Sequence, residues 1–315
     1  MTLIASGRFN VNNHAHVIGN RDGNSVQWFQ KFFEHRDITQ SLTRQGAGRY
    51  KLTKAALEKV PLALPPPAEQ RAITEALDDT AHLIDRLEGL ISKRRAIKQG
   101  MMQQLLTGKT RLPGFTKPWH AIRLGDYASM GSGGTPPSDV SHYYGGGIPW
   151  VSISDMTRAG RFVHKTEKTL SSEGLLHSAA KLYQDGVVLY AMYASLGECA
   201  VAVGRVSSSQ AILGIAPGPE LDRDYLYYSL FAIRDRVREL GQQGTQSNLN
   251  AGMVRDFSIN LPELREQEAI AAALSDGDVE LDLLKERLAK AQRVRQGMMQ
   301  QLLTGRTRLP VEKAS

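Results

Sequence analysis

The chain has 315 residues, with 39 Lys and Arg against 32 Asp and Glu, a formal net charge of +7 and a pI near 9.4. That length holds one large domain or two ordinary ones, and a hydrophobic content of 41% excludes global disorder. No uncharged apolar run reaches the ~18 residues of a membrane helix, Met1–Asn10 lacks a secretory leader pattern, and a lone cysteine, Cys199, excludes a disulfide framework or a cysteine-based zinc site. The expectation is a soluble, cytoplasmic protein whose basic balance favours a polyanionic partner.

Residues 1–64 read as a small globular stretch with an amphipathic run at Val26–Arg36 and a polar loop at Arg44–Tyr50. Pro65-Pro66-Pro67 cannot lie inside a helix but can precede one, so a helix is predicted from near Ala68 to about 107. A 4–3 spacing from Ile73 passes through Leu77, Ile84, Leu87, Ile91, Met101 and Leu105, one heptad seam. Gly108 supplies the stop, and Pro113 closes a region spanning 65–113.

The stretch 114–261 is richer in turns. It carries Gly131–Pro137 (GSGGTPP) and Gly145–Val151 (GGGIPWV), then β-type runs at Val187–Ala194, Ala200–Val203 and Ile212–Ile215. Asp224–Leu240 has helical periodicity through Leu226, Leu230, Ile233 and Val237, and a polar loop, Gly241–Asn248, follows. In the final region, 262–315, a second long helix is predicted over about 264–304, its seam formed by Ile270, Leu274, Leu281, Leu284, Leu288, Met298 and Leu302.

These halves repeat. Gln99–Pro113 (QGMMQQLLTGKTRLP) and Gln296–Pro310 (QGMMQQLLTGRTRLP) agree at fourteen of fifteen positions with an offset of 197. Carried backward, the offset places Leu64, Pro65, Glu69 and Gln70 on Leu261, Pro262, Glu266 and Gln267, and Met1 near Glu198. The counterpart of about 114–197 is therefore missing from the first copy. Each helix spans roughly 55–60 Å at 1.5 Å per residue, and such an amphipathic rod needs a partner; an antiparallel return supplies one. Arg94, Lys98 and Arg295 interrupt the seam, either as register devices, partner contacts or snorkelling stems, or as a solvated face.

Catalytic motifs are lacking. Gly108-Lys109-Thr110 has Gln103 where a phosphate-binding loop needs glycine, and it ends a helix instead of starting one. The glycines at 131–134 do not make GxGxxG, His14 and His16 are a weak metal pair, and Cys199 reads as a buried small hydrophobe.

The Leu-Pro-x-x-x-Glu-Gln motifs at 64–70 and 261–267, the repeated helix ends, Ser132–Pro136 and Ile148–Val151 together resemble the specificity subunit of type I restriction-modification systems. The resemblance covers essentially the whole chain. It implies an α+β fold in which mixed α/β target-recognition domains alternate with two conserved helices paired as an antiparallel coiled coil. It implies a non-catalytic subunit reading a bipartite sequence in double-stranded DNA and holding methyltransferase and restriction subunits. S-adenosylmethionine, ATP and Mg are then expected on those partners, with no cofactor on this chain. The first recognition domain is expected to be N-terminally shortened, exposing apolar surface unless the chain self-associates or another chain completes it. A rival reading is a non-reading scaffold, a decayed or inhibitory subunit that binds methyltransferase through its rods.

Candidate DNA contacts combine close-approach glycines with polar loop side chains. In the complete domain they are Gly133, Gly134, Thr135, Tyr190, Tyr193, Ser195, Gln210, Gln246, Ser247 and Asn248; in the partial one, Asn12, Asn13, His14, Arg49 and Tyr50. Trp150 reads as core.

Overall fold

A computed structural model describes residues 2–12, 14–19, 22–45, 49–243 and 248–310. In chain order the elements are α1 (Val26–His35), β1 (Thr43–Gln45), β2 (Arg49–Lys51), α2 (Lys54–Glu58), α3 (Pro67–Leu105), β3 (His120–Arg123), α4 (Leu124–Tyr127), β4 (Ala128–Ser132), β5 (Tyr144–Val151), α5 (Ile153–Ala159), β6 (Phe162–Val163), β7 (Lys168–Leu170) and α6 (Ser172–Leu176). They continue with β8 (Val188–Ala191), β9 (Cys199–Ala202), β10 (Ser207–Ser208), β11 (Ile212–Pro217), α7 (Arg223–Ala232), α8 (Arg234–Gln243), α9 (Ala251–Arg255), β12 (Ser258–Leu261) and α10 (Leu264–Leu302). No described helix is long and apolar enough to cross a membrane.

The chain divides into two compact units. One joins residues 1–93 to 281–315; the other is 94–280. Each contains part of α3 and part of α10.

In the 94–280 unit, a five-stranded sheet has the order β4-β11-β8-β9-β6, beside a three-stranded sheet β10-β5-β7 and the pair β12-β3. Strands β8 and β9 are buried at every position, so both faces are covered and the alternation expected of a half-exposed strand is lost. One cluster joins Tyr190, Val201, Leu213 and Ile215 of this sheet, Tyr225, Leu226 and Leu230 of α7, and Met102, Leu105, Ile270 and Leu274 of the long helices. The helical run predicted over 224–240 is two helices: α7 ends at Ala232, capped by Ile233, and α8 restarts so that Arg234 and Arg238 reach Glu198 at 3.6 and 3.3 Å.

In the other unit, Trp28 and Phe32 of α1 stack at 5.4 Å and bury against Ile73, Leu77, Met299, Leu302 and Leu303. The five residues that Trp28 and Phe32 meet are the offset counterparts of Ile270, Leu274, Met102, Leu105 and Leu106. Within both units α3 and α10 run antiparallel. Arg94 meets Glu280 at 2.9 Å, while Lys98 pairs with Asp278.

The stops repeat as well. Gly108 and Gly305 have φ of +71° and +72°, a left-handed conformation glycine adopts without strain. Thr110 and Thr307 then donate their backbone N–H to the carbonyls of Gln104 and Gln301 at 3.2 and 3.1 Å.

Candidate nucleic-acid interface

The strand registers gather four loops at one end of the five-stranded sheet. Ala191 at the end of β8 lies opposite Ile212 at the start of β11, and Leu213 lies opposite Ser132 at the end of β4. Backbone hydrogen bonds knit the loops that follow. Met192 N–H donates to Ala211 at 2.9 Å, Leu249 N–H donates to Met192 at 2.9 Å, and Gly133 N–H donates to Ile212 at 2.9 Å. Each contact sets an exposed polar side chain beside it: Tyr193, Gln210, Asn248 and Thr135. Ser195, half-buried, shares the Tyr193 loop. Between them Ala194 holds φ at +58°, a conformation uncommon for a residue with a Cβ. That strain is maintained by a braced loop: Arg238 Nε donates to the Leu196 carbonyl at 3.1 Å, and Arg234 and Arg238 flank Glu198. The side chain of Lys181, exposed, lies against Gly131 next to this end of the sheet.

Three expected contacts are buried. Tyr190 is on a strand covered on both faces, with its ring packed edge-on to Phe257 at 6.0 Å and no solvent exposure. Burial pushes its phenol pKa up, with a smaller contribution from Cys199, so Tyr190 belongs to the core and not to a groove-reading surface. Gly133 and Gly134 are buried too. A Cβ on either would collide with Ser208 or with the Ala179–Ala180 backbone, so their missing side chains serve close approach inside the domain. Gln246 and Ser247 lie outside the described residues.

In the 1–93/281–315 unit, Asn12 and His14 share an exposed turn in which the His14 N–H donates to Asn12 Oδ1 at 3.0 Å. Tyr50 is exposed on the β1–β2 hairpin, opposite Arg44. Arg49 begins β2, and Asn13 lies outside the described residues. His16 Nε2 bonds the Leu52 carbonyl at 2.7 Å, and no cluster of metal-binding side chains occurs among the described residues. Trp150 is buried, its indole N–H donating to the Gly134 carbonyl at 2.9 Å, and Cys199 is buried with its thiol pKa raised by desolvation.

Met102, Leu105, Ile270 and Leu274 of the helix pair pack into the core of this domain. Every predicted seam residue is buried or half-buried; Met102 and Met299 are more enclosed than their predicted neighbours Met101 and Met298. Of the seam interruptions, Lys98 pairs with Asp278 Oδ1 and lies 5.3 Å from the Tyr228 ring, while Arg94 pairs with Glu280. Tyr228 donates to the other Asp278 oxygen at 2.6 Å. Arg161 donates to Tyr228 Oη at 2.8 Å and Ser275 Oγ at 2.9 Å, and pairs with Asp224 at 2.9 Å. Burial opposes the charge on Asp224, but Arg223 and Arg161 outweigh it and hold its pKa below the ordinary value. This network ties α3, α7 and α10 to Arg161, the residue before β6. Nothing in the local sequence pattern marks it, because its members are separated by up to 180 residues.

The helix starts are tied by residues that the repeat does mark. Gln70 and Gln267, both fully buried, accept the N–H of the α1 and α7 caps, Ser25 and Asp222, each at 2.8 Å. Both side chains also donate to the first proline carbonyl of their own motif, Pro65 or Pro262.

Against known proteins, the model of the type I restriction modification DNA specificity domain matches residues 2–93 and 116–293. A putative type I restriction enzyme MjaX specificity subunit from Methanocaldococcus jannaschii is 23% identical over 291 residues, covering 89% of this chain and 67% of its own. The MjaIX specificity subunit of the same organism is 24% identical over 163 residues, covering 50% of this chain and 38% of its own. The chain thus spans about two thirds of one curated relative and under two fifths of the other. The crystal structure of the S subunit of a type I restriction-modification system from M. genitalium shares the fold, with a TM-score of 0.59 and 13% identity over 88% of this chain and 72% of that one. With the family model aligned to both units and the repeat built from the same contacts in each, this chain belongs to the type I restriction modification DNA specificity family.

Proposed function

We propose that this chain is the DNA-specificity subunit of a type I restriction-modification complex, acting in the cytoplasm and reading one half of a bipartite duplex target through its 114–261 domain. The observation that carries the reading is the convergence of Thr135, Tyr193, Gln210 and Asn248 at one end of a sheet, in a chain of this family. Hydroxyl and amide side chains of this kind discriminate base edges, while Lys and Arg hold phosphates. The paired helices are the element that sets the distance and rotational phase between half-sites, as in other two-site readers.

This reading assigns no bond-making step to the chain itself. Methyltransferase subunits carrying S-adenosylmethionine, and restriction subunits using ATP and Mg, supply the chemistry. The curated relatives are named as type I restriction enzyme specificity subunits, which supports such an assembly. Self-association of the chain, or pairing with another polypeptide, belongs to the same reading.

Co-expression with a type I methyltransferase subunit, followed by sequencing of modified bases in host DNA, tests the reading. A methylated motif that changes when Tyr193, Gln210 and Asn248 are replaced supports it. Methyltransferase binding with no methylated motif selects the scaffold reading instead.

A further inference from the structure

In the 94–280 unit, Gly131 of β4 lies directly opposite Gly214 of β11. Opposed residues of an antiparallel pair share one face of the sheet, so two facing glycines leave a furrow on it. The segment 178–183 fills that furrow. A Cβ on Gly214 would enter the Tyr183 ring, and the Tyr183 hydroxyl donates to the Gly131 carbonyl at 2.8 Å. A Cβ on Gly134 would meet the Ala179–Ala180 backbone. Tyr183 also exchanges backbone hydrogen bonds with Val206, at 2.7 and 3.2 Å. The segment is thus fixed on both sides of Lys181.

Lys181 itself is exposed, between the buried Ala180 and Tyr183. Its side chain runs over Gly131: a Cβ built there would lie 3.3 Å from Lys181 Cδ and 3.2 Å from Nζ. The bare glycine leaves room for the stem and so sets the course of a side chain with many rotamers, which lowers the entropy lost when its ammonium is held by a ligand. Lys181 has no ion pair among the described residues. Arg234 and Arg238, in contrast, are committed to Glu198. An uncommitted ammonium on a preset stem, beside the strand that leads into Thr135, is a point charge suited to a phosphate oxygen.

We propose that Lys181 binds a backbone phosphate of duplex DNA, with the Gly131–Gly214 furrow holding its stem in place. The contact fixes the register of the duplex against Thr135, Tyr193, Gln210 and Asn248 and carries no base information itself. The proposal rests on the DNA-reading function above and adds to it a residue that holds the backbone. It also gives the glycine-rich stretch a role: Gly134 and Gly131 seat the segment that presents the cation.

The experiment measures equilibrium binding to a random-sequence duplex across a salt series, for the unaltered full chain and for Lys181→Gln, Lys181→Arg and Lys165→Gln. Lys165 is the control: it is exposed just beyond β6, whose register with β9 puts it at the opposite end of the five-stranded sheet. Lys181→Gln reduces the slope of log K against log salt by about 0.9, the value of one phosphate. It leaves the thermal midpoint and the methylated motif unchanged. Lys181→Arg and Lys165→Gln keep the slope of the unaltered chain. A salt-dependent unaltered chain with the same slope in Lys181→Gln overturns the proposal and leaves DNA reading standing. No salt-dependent binding by the unaltered chain overturns both. An equal loss of slope in Lys181→Arg or Lys165→Gln overturns the proposal, because the effect then does not belong to a charge at this site. A changed methylated motif in Lys181→Gln overturns it as well, since the residue then reads a base edge.

Discussion

Arg308 donates from Nε to Glu69 at 2.8 Å, and 197 residues earlier Arg111 makes the same contact with Glu266 at 2.5 Å. In both pairs the carboxylate is buried and the arginine reaches it from a tail beyond the helix stop. Each unit is therefore closed by a clasp between the start of one long helix and the segment following the other.

Replacing Glu69 or Glu266 with Gln weakens its own unit. Loss of a charge-assisted hydrogen bond at a buried site costs about 1–3 kcal/mol, measurable as an earlier transition in differential scanning calorimetry. The hydrogen bond from Arg308 holds the Glu69 pKa below its ordinary 4.5. A depressed folded-state pKa means that its stabilisation is complete well above pH 4.5 and is lost as pH falls through the lowered value. Glu69→Gln flattens that acid limb, and an unchanged limb removes the clasp from the account.

The seam pair Lys98–Asp278 has no equivalent in the other unit, because its offset counterparts are Arg295 and Ala81. Arg295 Nε is buried without a hydrogen bond among the described residues. Ala81→Asp recreates the acceptor, raising stability by about 0.5–1 kcal/mol. In a double-mutant cycle the gain disappears with Arg295→Met. A gain that survives that change is not due to the pair.

Gly133→Ala and Gly134→Ala destabilise the 94–280 unit, because the added methyl meets Ser208 or the Ala179–Ala180 backbone. Overpacking of this kind costs about 1–3 kcal/mol, read from urea denaturation. Tyr190→Phe acts oppositely. It removes a buried hydroxyl without a hydrogen-bond partner and leaves stability equal or higher, with DNA binding unaltered. Weaker DNA binding by Tyr190→Phe contradicts its placement in the core.

The long helices were legible because glycine, proline and heptad signals are local. The sequence places them at about 67–107 and 264–304, against Pro67–Leu105 and Leu264–Leu302 in the structure. The repeat also carried Glu69, Glu266, Arg111 and Arg308, although their pairing needs the antiparallel return of the chain. Tyr190 was misplaced because residue type indicates contact chemistry, whereas burial depends on what covers the strand. Gly133 and Gly134 carry the same lesson: close approach was legible, and its target was not. The Arg161–Tyr228–Asp278 network joins segments far apart in sequence and has no periodic trace.

Thr135, Tyr193, Gln210 and Asn248 are exposed and outside the core, so alanine at these positions leaves the thermal midpoint of the full chain in place. A lost base contact costs about 1–3 kcal/mol of discrimination. Each single variant should therefore alter the methylated motif at a restricted set of bases. Uniform loss at all positions assigns the residue to phosphate instead.

The most direct test of the central claim is equilibrium binding of the full chain to duplex DNA across a salt series, beside the quadruple variant Thr135→Ala, Tyr193→Ala, Gln210→Ala and Asn248→Ala. The account predicts that log K falls linearly with log salt for both proteins, and that preference for a target over random duplex is lost in the variant alone. Salt-independent binding, no binding, or an unchanged preference in the variant would contradict it.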